Sequence, residues 1–120
     1  MLTRINYLYR DASNYKRQNE IYVNGVFTEA QKERIIASLY EGEYFIPCAI
    51  GWPETRISGD YDDDDHCWFE LNKNDFCEVA EKPVWAEIID RSPEQIVEDF
   101  ESVATEWDLW QNEWWMNAGM

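Results

Sequence analysis

The residues of this chain that could do chemistry are mostly carboxylates, and they are abundant after Ser92. From Ser92 to the C-terminus there is no Lys or Arg, although each Glu–Lys pair four residues apart would stabilise a helix by roughly 0.2–0.5 kcal/mol. Like charges at that spacing cost a similar amount. We therefore interpret these acids as an array that a basic protein binds. The predicted partner-binding acids in this segment are Glu94, Glu98, Glu101 and Asp108.

The linear density of these carboxylates resembles that of phosphates along DNA. A helix rises about 1.5 Å per residue, so the seven acids from Glu94 to Glu113 would extend over roughly 28 Å, or about one carboxylate per 4 Å. A DNA strand presents one phosphate per about 3.4 Å. The pattern predicts a surface that imitates nucleic acid, and a solvated acidic face without a partner is the alternative.

A second acidic segment, Asp60–His66, has part of the spacing of a calcium-binding loop. Three of its aspartates match the first ligand positions of an EF-hand. The sixth position requires Gly and holds Asp65, and the twelfth requires Glu and holds Leu71. We therefore predict no metal and no cofactor, and we interpret the segment as part of the acidic surface. Its predicted partner-binding residues are Asp62, Asp63, Asp64 and Asp65.

The single histidine limits the catalytic chemistry that the chain could carry. A histidine-activated nucleophile could use only His66, and the chain has no Gly-rich phosphate loop. His66 adjoins Cys67, and adjacent side chains of a strand face opposite ways, which disfavours zinc binding by the pair. We predict that the protein is not an enzyme. A metal-dependent enzyme that uses Asp60–His66 remains an alternative hypothesis.

The net charge of −15 on 120 residues excludes several kinds of partner. Residues 61–120 hold three Lys or Arg against seventeen Asp or Glu, a balance of −14. Such a field repels nucleic acid and anionic lipid, and it attracts basic protein surfaces. No apolar run approaches the roughly 18 residues of a membrane span, and the N-terminus lacks the apolar core of a signal peptide. We expect a cytoplasmic protein that binds neither nucleic acid nor membrane.

The strands that must support the acidic segments are predicted from alternation and turn residues. Alternation over Ile5, Tyr7 and Tyr9 predicts a half-buried strand. A turn at Asp11–Asn14 leads to a second strand near Glu20–Val23, which ends at Asn24-Gly25. Loops are expected at Gly51–Gly59 and Asp60–His66, and Val84–Ile89 is ambiguous between strand and helix. Further short strands are expected at Tyr44–Ile50, Cys67–Leu71 and Phe76–Val79.

Two helices are predicted from capping boxes. Thr28 with Gln31 begins a helix from about Glu29 to Glu41, which Gly42 terminates. Together with the strands and a second helix near the C-terminus, this pattern predicts a single α+β domain. Its small, mainly antiparallel sheet packs against one short and one long helix.

The long C-terminal helix is predicted to begin at Ser92, with Pro93 in its first turn, and to continue to about Met116. Trp114 and Trp115 close this helix and suggest an alternative function. If they are exposed, the protein is a structural or adaptor domain that forms a homodimer through its Trp-rich C-terminus. The apolar stripe of the helix is Ile96, Phe100, Val103, Trp107, Trp110 and Trp114.

Three segments within residues 5–71 resemble a group of small bacterial and mobile-element proteins without an established activity. They are Tyr9–Lys16, Gly42–Pro47 and Asp65–Leu71. The resemblance implies no catalytic or binding residue. In size, isoelectric point and acidic helix, the chain is also similar to phage and mobile-element inhibitors that mimic DNA, of the anti-restriction and anti-CRISPR type. We therefore predict an inhibitor that occupies the basic nucleic-acid groove of a host defence nuclease.

Overall fold

The structure, a computed structural model, describes residues 1–10, 16–53 and 66–118. The turn predicted at Asp11–Asn14 lies outside the described residues, as do most of the two predicted loops. The elements are β1 (Leu2–Arg10), β2 (Lys16–Asn24), α1 (Glu29–Ser38), β3 (Tyr44–Phe45), β4 (Phe69–Glu70), β5 (Phe76–Val79), β6 (Ile88–Ile89), α2 (Pro93–Val103) and α3 (Trp107–Ala118). The predicted α+β class is confirmed.

Strand β1 is the centre of a six-stranded sheet in the described part of the chain. It pairs antiparallel with β2 along its whole length, and its other edge pairs with β4 and β5. Beyond β2 lies β6, which runs parallel to it, and beyond β4 lies β3. The sheet is therefore mainly antiparallel, as predicted. The predicted alternation is also confirmed, because Ile5, Tyr7 and Tyr9 are buried between partly exposed neighbours.

Large aromatic rings fill the space between this sheet and α2. Tyr7 contacts Phe45 and Trp52, with ring centroids 5.5 and 5.4 Å apart. Phe100 of α2 contacts the same two rings at 5.5 Å each. The Tyr7 hydroxyl donates a hydrogen bond to the Pro53 carbonyl oxygen at 2.6 Å, so its polar end is satisfied. A small domain thus gains much of its buried apolar area from a few residues.

Helix α1 begins where the sequence predicts and ends three residues early. Thr28 and Gln31 form the expected capping box. The predicted end at Glu41 is wrong, because the backbone of Tyr40 pairs with that of Tyr44 and draws the chain out of the helix at Leu39. Gly42, predicted as a helix cap, instead has a φ of +72° in the turn between these two tyrosines.

The prediction of one long C-terminal helix is wrong, because the chain forms two helices, α2 and α3, with a break at residues 104–106. Glu106 donates its N–H to the Val103 carbonyl, and its own carbonyl accepts from Trp110, so α3 starts anew there. After the break, the Trp107 indole N–H donates to the Ser38 carbonyl at 2.9 Å. That carbonyl belongs to the last turn of α1, whose carbonyls lack partners within the helix.

Two of the predicted strands are shorter than expected. Only Tyr44–Phe45 of the Tyr44–Ile50 segment is a strand, since Pro47 begins a 3₁₀ helix that ends at Ile50. Only Phe69–Glu70 of Cys67–Leu71 pairs with β1. The ambiguous Val84–Ile89 segment contributes a strand at Ile88–Ile89 alone. The Phe76–Val79 strand is confirmed.

No helix within the described ranges is both long enough and apolar enough to span a lipid bilayer.

Removal of the Phe100 ring should unfold the domain at a much lower urea concentration. We expect Phe100→Ala to cost about 3–5 kcal/mol of unfolding free energy, because it leaves a cavity among packed rings. Trp85→Ala is the matched control, since this ring is 72% exposed and its loss should cost within about 0.5 kcal/mol. Equal midpoints for the two variants in urea denaturation would contradict the assignment of Phe100 to the core.

Candidate functional site

Helix α2 presents carboxylates to solvent because its other face is buried. Ser92 caps the helix through the predicted box with Gln95, and Pro93 occupies the first turn. The buried residues follow the predicted stripe, which continues across the break into α3. Its members Ile96, Phe100, Val103, Trp107 and Trp114 are buried, and Trp110 is half-buried. The acids of α2 therefore lie between or opposite these positions.

Two of the predicted partner-binding acids are joined to α1 by Arg34. The Arg34 guanidinium donates to both carboxylate oxygens of Glu101, at 3.0 and 2.7 Å, and to Glu94 at 3.1 Å. Hydrogen bonding to Glu101, and more weakly to Glu94, raises the pKa of Arg34. The same contact lowers the pKa of Glu101. A basic residue distant in sequence thus supplies a counter-charge that the C-terminal segment itself lacks.

A second ion pair links the start of α2 to its first turns. Arg91 donates from Nε to the carboxylate of Asp99 at 3.0 Å and makes a further contact through Nη2. The bond to Asp99 raises the pKa of Arg91, and the nearby charge of Glu98 adds to that effect. Arg91 lies one residue before the segment that lacks Lys and Arg. Together, Arg34 and Arg91 supply counter-charges to three of the four acids of α2.

The remaining acids of α2 and α3 are exposed to solvent. Glu98 and Asp108, both predicted to bind a partner, are exposed and have no salt bridge among the described residues. Glu106 and Glu113 share this environment. The four acids therefore form the uncompensated part of the array, and we call Glu98, Glu106, Asp108 and Glu113 the open carboxylates.

The predicted aromatic interface is not available at Trp114, which is only 7% exposed and packs in the core. The side chain of Trp115 lies outside what the structure describes. Two other α3 residues are exposed apolar side chains, Leu109 at 67% and Met116 at 70%. They lie seven residues apart and so share one face of the helix.

The acidic loop residues Asp62, Asp63, Asp64 and Asp65 lie outside the described residues, so their predicted role stays a prediction. Among residues 1–10, 16–53 and 66–118, no group of three or more His, Cys, Asp or Glu side chains is placed to hold a metal ion. Cys67 is buried, and Cys48 and Cys77 are exposed.

Both ring nitrogens of His66 are committed to backbone hydrogen bonds. The Trp68 backbone N–H donates to Nδ1 at 3.0 Å, so Nδ1 must be the unprotonated nitrogen. Nε2 therefore carries the proton and donates to the Arg10 carbonyl at 2.6 Å. The ring also contacts Tyr9, with centroids 5.1 Å apart. In this arrangement His66 holds the chain against the end of β1.

No family model, curated protein or solved structure matches this chain. The resemblance that the sequence suggests over residues 5–71 therefore stays a prediction, and the site must be interpreted from its own geometry.

Sequence reasoning missed Arg34, which supplies the counter-charge to two of the four α2 acids. Arg34 lies on the exposed side of a short helix, at least 60 positions before its two partners. Only the packing of α1 against α2 brings them together. One signal was present, because Glu94 and Glu101 lie seven residues apart and must share a face of any helix.

Replacement of Glu101 by Gln should make the free energy of unfolding less dependent on pH in the acidic range. In the folded protein, the pKa of Glu101 is lowered below its usual value of 4.5. The contribution of this carboxylate to the free energy of unfolding is therefore complete above pH 4.5, and it is lost as the pH falls through the lowered pKa. We expect Glu101→Gln to lower the urea midpoint at pH 7, with the difference from wild type shrinking below about pH 4.

Glu98→Gln is the control for this measurement, because Glu98 is exposed on the same helix without a salt bridge. It should change the midpoint much less than Glu101→Gln does, because Glu98 makes no salt bridge among the described residues and its charge acts on Arg91 only at a distance. If both variants lowered the midpoint equally at pH 7, the link between Arg34 and Glu101 would make no specific contribution.

Proposed function

We propose that this protein is a non-enzymatic inhibitor that binds a basic surface of a nucleic-acid-binding protein through the acidic face of α2 and α3. The observation that carries the proposal is the set of open carboxylates on two ordered helices, within a half-chain of charge −14. The proposed target is a host defence nuclease in the cytoplasm, as for anti-CRISPR or anti-restriction proteins that mimic DNA.

Order is what distinguishes this surface from a solvated acidic tail. The stripe that ends in Trp107 and Trp114 is buried, and Trp107 is fixed by its bond to Ser38, so α3 cannot rotate freely. The Arg34 contact with Glu94 and Glu101 fixes α2 against α1 in the same way. Because the helix backbones are held in this manner, they need not be ordered on binding, which favours affinity.

Charge would act on the target in two steps. A negative field of this strength accelerates encounter with a basic groove and orients the protein during approach. Once bound, the acidic face occupies the positions at which phosphates would contact Lys and Arg, so nucleic acid is excluded by competition. Both steps weaken as salt screens the charges, over a distance of about 8 Å at physiological ionic strength.

The apolar residues of α3 support a heterologous partner over a homodimer. Leu109 and Met116 share a face near Asp108 and Glu113. A second copy placed on this face would bring two sets of carboxylates together, which costs free energy unless cations intervene. A basic partner would instead gain apolar contact and charge complementarity from the same surface.

The enzyme alternative receives less support from the described residues. The only histidine has both ring nitrogens in backbone hydrogen bonds, so it would have to give up one of them to act as a base. Our proposal therefore assigns no catalytic residue.

Reversal of three of the four open carboxylates should strongly weaken inhibition. Purified RNA-guided and restriction nucleases would be loaded with a fluorescent DNA duplex, and displacement by this protein would be followed by anisotropy at low and high salt. We expect displacement from at least one nuclease and a loss of roughly tenfold or more in association rate for the triple variant Glu98→Lys, Asp108→Lys, Glu113→Lys.

The matched control reverses three exposed acids elsewhere, Glu78, Glu81 and Glu87, and therefore has the same net charge. It should retain most of the displacement. If both triple variants lost it equally, only the total charge would matter and the proposed surface would be wrong. If neither lost it, the acidic face would play no part.

A further inference from the structure

A cavity of about 310 Å³ lies where β1, β3 and β4 meet. Its size lies within the range of small-molecule sites, from about 300 Å³ upwards. None of the open carboxylates is among its lining residues, and the proposed function does not use it. The lining residues are Arg10, Tyr40, Tyr44, His66, Trp68 and Glu70.

Three aromatic side chains form the apolar part of this cavity. The rings of Tyr40 and Trp68 are in contact, with centroids 4.8 Å apart and planes inclined by 30°. Trp68 is supported from behind by Trp107, at 6.2 Å. Tyr44 joins Tyr40 through the backbone bridge that ends α1. These rings are therefore held in place before any ligand binds.

The His66 hydrogen bonds make the opposite wall rigid. His66 bonds to the Arg10 carbonyl and receives the Trp68 N–H, so one residue fixes two other members of the lining. A preformed wall of this kind lowers the cost of ordering on binding.

The charges around the cavity are mainly negative. Glu70 lines it, and the carboxylate of Glu43 is the largest of the effects that raise the pKa of Tyr44, ahead of burial and the charges of Glu70 and Glu41. Arg10 is the single basic residue of the lining. Its Nε lies 3.3 Å from Glu70, yet its N–H makes no hydrogen bond within the described residues. Arg10 and Glu70 therefore form an ion pair without a hydrogen bond, and a donor aligned with the Glu70 carboxylate would compete with Arg10 for it.

We infer that this cavity binds an organic cation, a guanidinium or alkylammonium group, between the Tyr40–Trp68 ring pair and the Glu70 carboxylate. Aromatic faces attract such cations by about 0.5–2 kcal/mol, and the carboxylate adds a charge-assisted hydrogen bond. The group could belong to a free small molecule or to a Lys or Arg side chain of a protein. The chemistry of recognition is the same in both cases.

The inference can be tested by NMR titration of the isolated protein, following the indole N–H of Trp68. The probes are methylguanidinium, tetramethylammonium and a Gly-Arg-Gly peptide, each with a neutral counterpart such as Gly-citrulline-Gly. We expect the cations to shift the Trp68 signal in a saturable way and the neutral compounds not to do so. Saturation by the free cations alone would identify a small-molecule site, and preference for the peptide a protein side chain.

Three substitutions make the test specific to this cavity. Tyr40→Leu and Glu70→Gln should each weaken cation binding by roughly fivefold or more, since each removes one wall of the site. Arg10→Gln should strengthen it, because the competing cation is gone. Trp85→Leu and Glu87→Gln, which remove an exposed ring and an exposed charge outside the cavity, are the matched controls and should have no effect.

The inference would be overturned if no cation shifted Trp68 in the folded wild-type protein. It would also be overturned if Arg10→Gln weakened binding while Glu70→Gln strengthened it, because that pattern describes an anion site. Neither result would affect the proposed function, since the isolated protein is titrated and α2 and α3 are unchanged.

Discussion

The burial of one face of α2 against the sheet is the interaction on which the rest of the structure depends. Phe100 enters the ring cluster formed by Tyr7, Phe45 and Trp52, and this contact fixes the rotation of the helix. Once the rotation is fixed, the acids of α2 must face either α1 or solvent. Glu94 and Glu101 meet Arg34 of α1, Asp99 pairs with Arg91, and Glu98 remains open to solvent.

The acids of the C-terminal segment therefore divide into two classes with different physical roles. Glu94, Asp99 and Glu101 pair with arginines and connect α2 to its neighbours. Such exposed pairs stabilise a fold only modestly, so their main effect is to set position. The open carboxylates make no salt bridge among the described residues. Their retention on ordered helices is the physical basis of the proposed binding function.

Local signals in the sequence predicted the elements whose causes are local. Alternation identified β1, because one face of the sheet is buried, and side-chain capping identified the first residues of α1 and α2. The break between α2 and α3 could not be predicted, because the apolar spacing from Ile96 to Trp114 stays in phase across it. Trp107, the first residue after the break, instead makes a contact distant in sequence, its bond to Ser38.

The candidate site and the cavity also depend on contacts between residues distant in sequence, which local signals do not reveal. The sequence identified the acids but not Arg34, whose pairing with Glu94 and Glu101 depends on how α1 packs on α2. The ring pair of Tyr40 and Trp68 was equally hidden, since β3 and β4 bring together residues 28 positions apart. Short strands of two residues carry too little periodicity to reveal such pairings.

Backbone hydrogen exchange of the full-length protein tests most directly whether the acidic array is ordered. Our account predicts slow exchange for the amides of Phe100 to Val103 and of Trp110 to Trp114, at rates close to those of the β1 core. Exchange in α3 as fast as in an unfolded chain, while β1 remained protected, would contradict it. In that case the open carboxylates would belong to a frayed segment, and no fixed surface would exist for a target to bind.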